Sequence, residues 1–339
     1  MKIAKIFLFS LIVGFFLTAC GSKEDVVVDN TQEEIGNKYN IVVTNYPIYD
    51  WVNNIVGEGL FYDVSLLEGT GVDIHNYKPT EEDIEKIISS DLFIYIGGES
   101  DDWFEEINSQ YNINSLKLRP IIEDYLVDEF NFEDLFNEGT DLSELESEGL
   151  INIPNINRKE IDDEHIWLSL RNARVLCEEV KNKIISLAPE NKVFIENNFV
   201  LYDNSLIDLE RKYSDILEKY RGKSLYFVDR FPFIYLFNDY GLDYFVISDI
   251  CSSDVVINEE GIEDLINEIT DWNIDCLIAI ENTNIEVVNT IKNTLEEKDI
   301  DIITVNAIHF VSAKEVNQGT SYIKIMRDNL DIFADVLKS

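Results

Sequence analysis

Two of the three histidines in this 339-residue sequence lie directly ahead of helical patterns. His75 falls in "GTGVDIHNYKPTEEDIEKI", in the loop between the apolar segment "YDVSLL" and a helix, and His165 falls in "IDDEHIWLSLRNAR". Neutral imidazole nitrogens suit zinc and other first-row divalent ions, so the pair indicates a metal site. The neighbouring carboxylates of Asp73, Asp163 and Glu164 are expected to orient the imidazole rings.

Alternating apolar and amphipathic segments from Asn40 onward predict an α/β fold. We expect two lobes, each with a mainly parallel sheet flanked by helices, joined by one long rigid helix. That helix would contain about thirty residues and span about 45 Å. Thr80, with Asp83 three residues later, predicts the N-terminal cap of the helix that follows His75. Ligands of such folds bind where loops leave the carboxyl ends of strands, and His75 lies in such a loop.

Composition predicts the boundaries of these parts. Residues 1–20 combine lysines, a short apolar run and a small-residue cleavage site, which is typical of an export signal. The end of this segment, "LTAC" followed by glycine, resembles a bacterial lipobox in which Cys20 is lipidated. Residues 21–38 are polar and acidic and predict a flexible tether. We expect the N-terminal lobe over 39–189, the linking helix over 190–221 and the C-terminal lobe over 222–339.

The composition is strongly acidic, with 66 Asp and Glu residues against 27 Lys and Arg. Such a surface repels phosphate backbones, which argues against nucleic acid as a partner. The sequence has no H-E-x-x-H, G-x-S-x-G or P-loop motif, so we expect a binding protein and not an enzyme. The acidic stretch from 123 to 163 has little periodicity, and weak cation capture is a hypothesis for it.

Two motifs are similar to those of a known family. "VDIHNYKPTEEDI" resembles D-P-H-x-Y-x-P-T-x-x-D, and "DEHIWLSLRNA" resembles D-x-H-x-W-L-x-P-x-N-A. Both patterns belong to the metal-binding lipoproteins that serve zinc and manganese ABC importers, and the similarity extends over nearly the whole chain after the tether. The resemblance implies a metal site in a cleft between the lobes, to which the N-terminal lobe contributes His75 and His165.

The resemblance also implies a function. We expect an extracytoplasmic substrate-binding lipoprotein that captures a divalent cation, with zinc as the first choice and manganese as the second. It would deliver the ion to a permease and its ATPase, as a monomer anchored by lipid at Cys20 to the extracytoplasmic face of the cell membrane. The alternative is a degenerate relative that has lost metal transport and acts in surface adhesion or regulation.

The C-terminal lobe departs from the family pattern at both usual ligand positions. "DRFPFIYLFNDYGL" has Arg230 where relatives have a ligand histidine or glutamate, and a guanidinium offers only donors. The usual late aspartate corresponds to Asn306, whose neutral carbonyl oxygen is a weaker ligand. In one explanation other groups complete the shell, and Arg230 pairs with a cleft carboxylate to latch the lobes. The candidate groups are Asp101, Asp229, Cys251, Asp254, Glu281 and Asn306.

Two further explanations stay open: the two N-terminal histidines hold the ion with water alone, or metal binding is lost. His309 is the third candidate histidine, although the mixed character of "AIHFVSAKE" favours a surface loop residue. A stiff linking helix predicts small movements of the lobes instead of a wide closure around the ion.

Overall fold

The computed structural model describes residues 38–57, 59–67, 72–122, 163–228, 230–246, 259–271, 274–295 and 300–338. Several predictions lie outside these residues. They concern the export signal with Cys20, the tether and the acidic stretch, together with the candidate ligands Asp229, Cys251 and Asp254. The domain boundaries stay predictions. Among the described helices, none combines the length and the hydropathy that a bilayer crossing requires.

The N-terminal lobe is built on a four-stranded parallel sheet with the order β2-β1-β3-β4. Its strands are β1 (Tyr39–Val43), β2 (Tyr62–Leu66), β3 (Leu92–Tyr95) and β4 (Ser115–Lys117), and its helices are α1 (Tyr46–Val56), α2 (Glu81–Ser89) and α3 (Trp103–Tyr111). All four residues of β3 are buried, as expected for a central strand covered on both faces. The predicted cap of α2 is confirmed, because Thr80 and Asp83 form a capping box.

Two long helices follow the sheet of the N-terminal lobe, α4 (Leu170–Leu187) and α5 (Lys192–Leu217). The predicted linking helix is confirmed, but its α-helical part has 26 residues and spans about 39 Å. It is shorter than predicted because 3-10 turns, Pro189–Asn191 and Glu218–Tyr220, replace its two ends. Six side chains at helical spacing form the buried stripe of α5: Ile195, Tyr202, Leu206, Leu209, Tyr213 and Leu217.

The C-terminal lobe repeats the strand arrangement of the N-terminal lobe. Its strands are β5 (Ser224–Tyr226), β6 (Asp243–Phe245), β7 (Cys276–Ile280) and β8 (Asp301–Val305), paired in parallel as β5-β6 and β7-β8. A parallel bridge between Phe227 and Ile278 joins the pairs, which gives the order β6-β5-β7-β8. Its helices are α6 (Ile234–Tyr240), α7 (Glu259–Asp271), α8 (Ile285–Thr294), α9 (Ala313–Asn317) and α10 (Tyr322–Val336).

One hydrophobic cluster runs through both lobes and the linking helix. It includes Ile41 of β1, Leu206 and Tyr213 of α5, Phe233 ahead of α6 and Phe333 of α10. The lobes therefore share a core and are not two independently packed bodies. Separating them would expose apolar surface at about 25 cal/mol per Å², so the fold resists wide opening.

Asp50 of α1 is a carboxylate within this shared core, with 9% of its surface exposed. Its Oδ2 accepts hydrogen bonds from the hydroxyl of Tyr202 on α5 at 3.0 Å and from Nδ2 of Asn54 at 3.2 Å. The backbone N–H of Tyr322, the first residue of α10, also donates to the carboxylate. Asp50 thus connects α1, α5 and α10.

Burial raises the pKa of Asp50 from its ordinary value of 3.8 to about 6, against the lowering effect of the hydrogen bonds from Tyr202 and Tyr322. The folded state then holds the Asp50 proton more tightly than the unfolded chain, so stability falls as the pH rises through this interval. We expect Asp50→Asn to gain about 2 kcal/mol of unfolding free energy relative to the unmodified protein between about pH 4.5 and about pH 7.5.

Chemical denaturation of both proteins in the presence of a chelator measures this difference. The control is Asp331→Asn on α10, where the side chain is exposed. The differences of both variants from the unmodified protein are compared over the same pH range. If Asp50→Asn behaves like Asp331→Asn, burial does not raise the pKa of Asp50.

Candidate metal centre

His75 lies in a 3-10 turn, Ile74–Asn76, that follows β2. Asp73 caps this turn, and its Oδ1 accepts the backbone N–H of His75 at 3.1 Å. The ring Nδ1 lies 3.0 Å from Oε1 of Glu164 and 3.2 Å from Oγ of Ser100. These contacts fix the ring by its Nδ1 side, so that Nε2 faces away from Glu164. The ring partner is thus Glu164, whereas Asp73 holds the backbone.

His165 immediately precedes a second 3-10 turn, Ile166–Leu168, ahead of α4. Oδ1 of Asp163 accepts the backbone N–H of His165 at 2.8 Å and lies 3.0 Å from its ring Nδ1. One carboxylate therefore sets both the backbone and the ring. The hydroxyl of Tyr235 on α6 donates to the Asp163 carbonyl at 2.9 Å, which connects this segment to the C-terminal lobe.

His309 lies in the loop after β8 and is 1% exposed, so the interpretation of His309 as a surface residue was wrong. Ile308 has a φ of +62°, which turns the chain sharply before His309. Oδ1 of Asn306 accepts the N–H of Ile308 at 2.7 Å. Glu281, directly after β7, accepts the N–H of Ala307 at 2.6 Å and that of His309 at 2.8 Å.

The three rings converge on one point. Nε2 of His165 lies 3.3 Å from Nε2 of His75 and 2.9 Å from Nε2 of His309. Each ring offers one nitrogen, and these three atoms all lie within 4.8 Å of one another. In the part of the chain that the structure describes, this is the one group of three or more histidine, cysteine or carboxylate side chains with that geometry.

A carboxylate stands behind each imidazole. The Nδ1 atoms of His75 and His165 lie 3.0 Å from Glu164 and Asp163, and Nδ1 of His309 lies 3.6 Å from Oε1 of Glu281. At 3.0 Å, the carboxylates of Glu164 and Asp163 favour the tautomers of His75 and His165 with the proton on Nδ1. In this tautomer the lone pair of Nε2 is available to a cation. The Nε2 atoms of all three rings lie close together.

His309 and Glu164 both have lowered pKa values, which favours binding of a cation. Burial lowers the pKa of His309 well below its usual value, with added effects of His165, His75 and Arg230, so its ring is neutral near pH 7. Burial alone would raise the pKa of Glu164, but hydrogen bonds from His75 and Ser100, and the charge that His165 carries when protonated, lower it to about 2. Glu164 therefore stays ionised behind His75.

The other predicted ligands within the described residues have different contacts. Oδ2 of Asp101 accepts the backbone N–H groups of Ile96 at 2.8 Å and Gly97 at 3.0 Å, and burial raises its pKa to about 7. Asn306 uses its Oδ1 for the turn at Ile308. Among the described residues, neither Asp101 nor Glu281 belongs to the histidine group.

Arg230 is the remaining departure from the family pattern. Its side chain is buried, and Nη2 donates to the carbonyl of Asn282 at 3.3 Å. The expected latch to a cleft carboxylate stays a prediction.

Burial raises the pKa of Glu281 to about 7, although the hydrogen bonds that Glu281 accepts from the N–H groups of Ala307 and His309 lower it.

Known proteins of similar sequence bind zinc. The zinc-binding lipoprotein AdcA of Streptococcus pneumoniae strain R6 is 26% identical over 330 residues, which are 97% of this chain and 60% of AdcA. The chain therefore spans about three fifths of the AdcA proteins it matches. The high-affinity zinc uptake system protein ZnuA of Bacillus subtilis is 26% identical over 337 residues, with 97% of both chains covered.

Solved structures show the same fold. The Zn(II)-bound ZnuA-like domain of Streptococcus pneumoniae AdcA has a TM-score of 0.67 at 23% identity, over 89% of this chain and all of that domain. The periplasmic zinc binding protein TroA of Treponema pallidum also has a TM-score of 0.67, at 18% identity, over 89% of this chain and 99% of TroA. The predicted α/β fold class is thereby confirmed.

The sequence profile of the family "Zinc-uptake complex component A periplasmic" matches residues 41–336. This range contains both histidine motifs and the loop of His309, and the resemblance drawn from the motifs is confirmed. The protein therefore belongs to the zinc-uptake complex component A family, ZnuA.

Proposed function

We propose that this protein is the extracytoplasmic substrate-binding lipoprotein of a metal ABC importer, and that it captures one divalent cation in the cleft between its lobes. The observation that carries the proposal is the convergence of three imidazole Nε2 atoms on one point. Like-oriented acceptors at such short distances repel one another, and a cation between them removes that cost. Zinc is the first choice of cargo and manganese the second.

In this proposal His75, His165 and His309 are the protein ligands. His309 supplies the ligand of the C-terminal lobe, in place of the family position that holds Arg230. The site then corresponds to the explanation in which another group completes the shell, although that group was not among the six candidates. Three nitrogen ligands leave a fourth tetrahedral position for water or a further group.

The ligand chemistry supports zinc over manganese. Zinc accepts imidazole nitrogen in tetrahedral sites at about 2.0–2.1 Å, whereas manganese prefers carboxylate, carbonyl and water oxygens. The described part of the site offers nitrogen to the ion and uses its carboxylates behind the rings. The names of the relatives AdcA and ZnuA refer to zinc as well.

Family membership supports delivery of the ion to a permease and its ATPase, a task that needs no catalytic step. The hydrophobic cluster shared by both lobes favours local rearrangement of loops over wide opening. Release would then require the permease to displace the His309 loop. A lipid on Cys20 would hold the protein, as a monomer, at the outer face of the membrane. Convergence of the three rings argues against the degenerate relative that has lost metal transport.

Loss of any one histidine should weaken zinc binding. We expect His75→Ala, His165→Ala and His309→Ala each to lower the affinity by about 100-fold or more, because each removes one of three inner ligands. Competition calorimetry against a chelator measures these affinities. Tyr111→Ala, an exposed aromatic at the end of α3, serves as the control and should bind zinc normally.

The His309→Ala result separates the explanations of the site. An unchanged affinity would support an ion held by His75 and His165 with water. If the unmodified protein binds no zinc and shows no rise in melting temperature with zinc, the cargo proposal fails, because a ligand that binds only the folded state raises its stability.

Metal preference is a separate prediction. We expect manganese to bind about 100-fold more weakly than zinc or worse, because the imidazole set favours zinc in the usual order of divalent-metal affinities. Competition between the two ions, followed by metal analysis of the dialysed protein, measures this ratio. Equal occupancy at equal free concentrations would contradict an inner shell of three imidazoles.

A further inference from the structure

We propose that Glu281 is a positioning residue for metal binding: it holds the loop of residues 306–309 so that His309 reaches the ion, without being a ligand itself. The inference rests on the proposed function, since it concerns the same site. It assigns to Glu281 a role that differs from the direct coordination expected from sequence.

The first step is the contact between Glu281 and the loop. Its Oε2 accepts the N–H of Ala307 at 2.6 Å, and its Oε1 accepts the N–H of His309 at 2.8 Å. The side chain is 11% exposed, so water competes little for these bonds. The backbone N–H of Glu281 donates to the carbonyl of Val305 at 3.2 Å, which connects the backbone of Glu281 to the end of β8.

The second step is the conformation that these bonds hold. Ile308 has a φ of +62°, and a β-branched residue in the left-handed region costs on the order of 1–3 kcal/mol. Such a conformation persists only when its surroundings fix it. The N–H groups of Ala307 and His309, on either side of Ile308, are both bound by Glu281. Behind the loop, Oδ1 of Asn329 on α10 accepts the N–H of Asn306 and its Nδ2 donates to the Asn306 carbonyl.

The third step is the connection between this loop and the other two histidine segments. Trp167 lies two residues after His165, and its indole N–H donates to the carbonyl of Ala307 at 2.9 Å. The N–H of Ile74, next to His75, donates to the carbonyl of His309 at 3.3 Å. The same two loop residues are therefore bound to Glu281 by their N–H groups and to the N-terminal lobe by their carbonyls.

A carboxylate is required for this task. Two N–H groups converge on one side chain, and only a carboxylate offers an acceptor to both without a donor of its own. Glutamine has the same size but one acceptor oxygen, so Glu281→Gln would set its amide group against one of the two N–H groups. The loop would then lose one of its bonds, while the volume of the core stays the same.

The test is a double-mutant cycle on zinc affinity, with Glu281→Gln placed in the unmodified protein and in His309→Ala. We expect Glu281→Gln to lower zinc affinity by about 10- to 100-fold in the unmodified protein, the usual effect of losing a group that orients a ligand. In the His309→Ala background we expect less than about a twofold effect, because no ring is left to position.

A merely structural role would give the same loss in both backgrounds, and that result would overturn the inference. So would an unchanged affinity of Glu281→Gln in the unmodified protein. Glu263→Gln, an exposed residue of α7, is the matched control and should leave affinity unchanged in both backgrounds. If Glu281→Gln does not fold in the metal-free state, the same cycle with Glu281→Asp, whose shorter side chain cannot reach both N–H groups, gives the same decision.

The outcomes separate this inference from the proposed function. Absence of zinc binding by the unmodified protein would overturn the proposed function itself. If the unmodified protein binds zinc and Glu281→Gln causes the same loss of affinity in both backgrounds, only the role of Glu281 is overturned.

Discussion

The close approach of three imidazole Nε2 atoms constrains the rest of the site. Facing Nε2 atoms that lie 2.9 and 3.3 Å apart cannot all be protonated, because the charges would repel in a medium of low dielectric constant. Each ring therefore needs a partner that holds the proton on its other nitrogen. Glu164 and Asp163 lie 3.0 Å from Nδ1 of His75 and His165, Glu281 lies 3.6 Å from Nδ1 of His309, and burial of His309 favours a neutral ring.

Arg230 changes the charge of such a site instead of supplying a metal ligand. A guanidinium adds a positive charge near His309, which by itself disfavours a cation. Three carboxylates face the three rings, and when all three are ionised they offset formally the two charges of a divalent ion and the single charge of Arg230. In the proposed site the negative charge lies behind the rings, and the ion would be surrounded by nitrogen. This arrangement separates the source of negative charge from the ligands themselves.

Much of the fold was predictable because its signals are local. Apolar runs located the strands, and the capping box at Thr80 and Asp83 located α2. His75 and His165 could be paired because each directly precedes a helix within one lobe. The two D-x-H segments are less alike in the structure than in the sequence. Asp163 contacts both the backbone N–H and the ring of His165, whereas Asp73 accepts the backbone N–H of His75. The ring of His75 is instead held by Glu164, which is distant in sequence.

The position of His309 could not be read from its neighbours. It lies 144 residues from His165, and its loop is bound by Trp167, Ile74 and Glu281, which no local pattern connects to "AIHF". Asn306, by contrast, uses its side chain for a local turn, in which its Oδ1 accepts the N–H of Ile308 two residues later.

The central claim is that three imidazoles of this chain surround one zinc ion. X-ray absorption at the zinc edge on the zinc-loaded protein measures the ligands directly. The account predicts a first shell with three imidazole nitrogens at about 2.0–2.1 Å and the outer-shell scattering of their rings. A shell with two imidazoles, or one made mainly of oxygen, would contradict it.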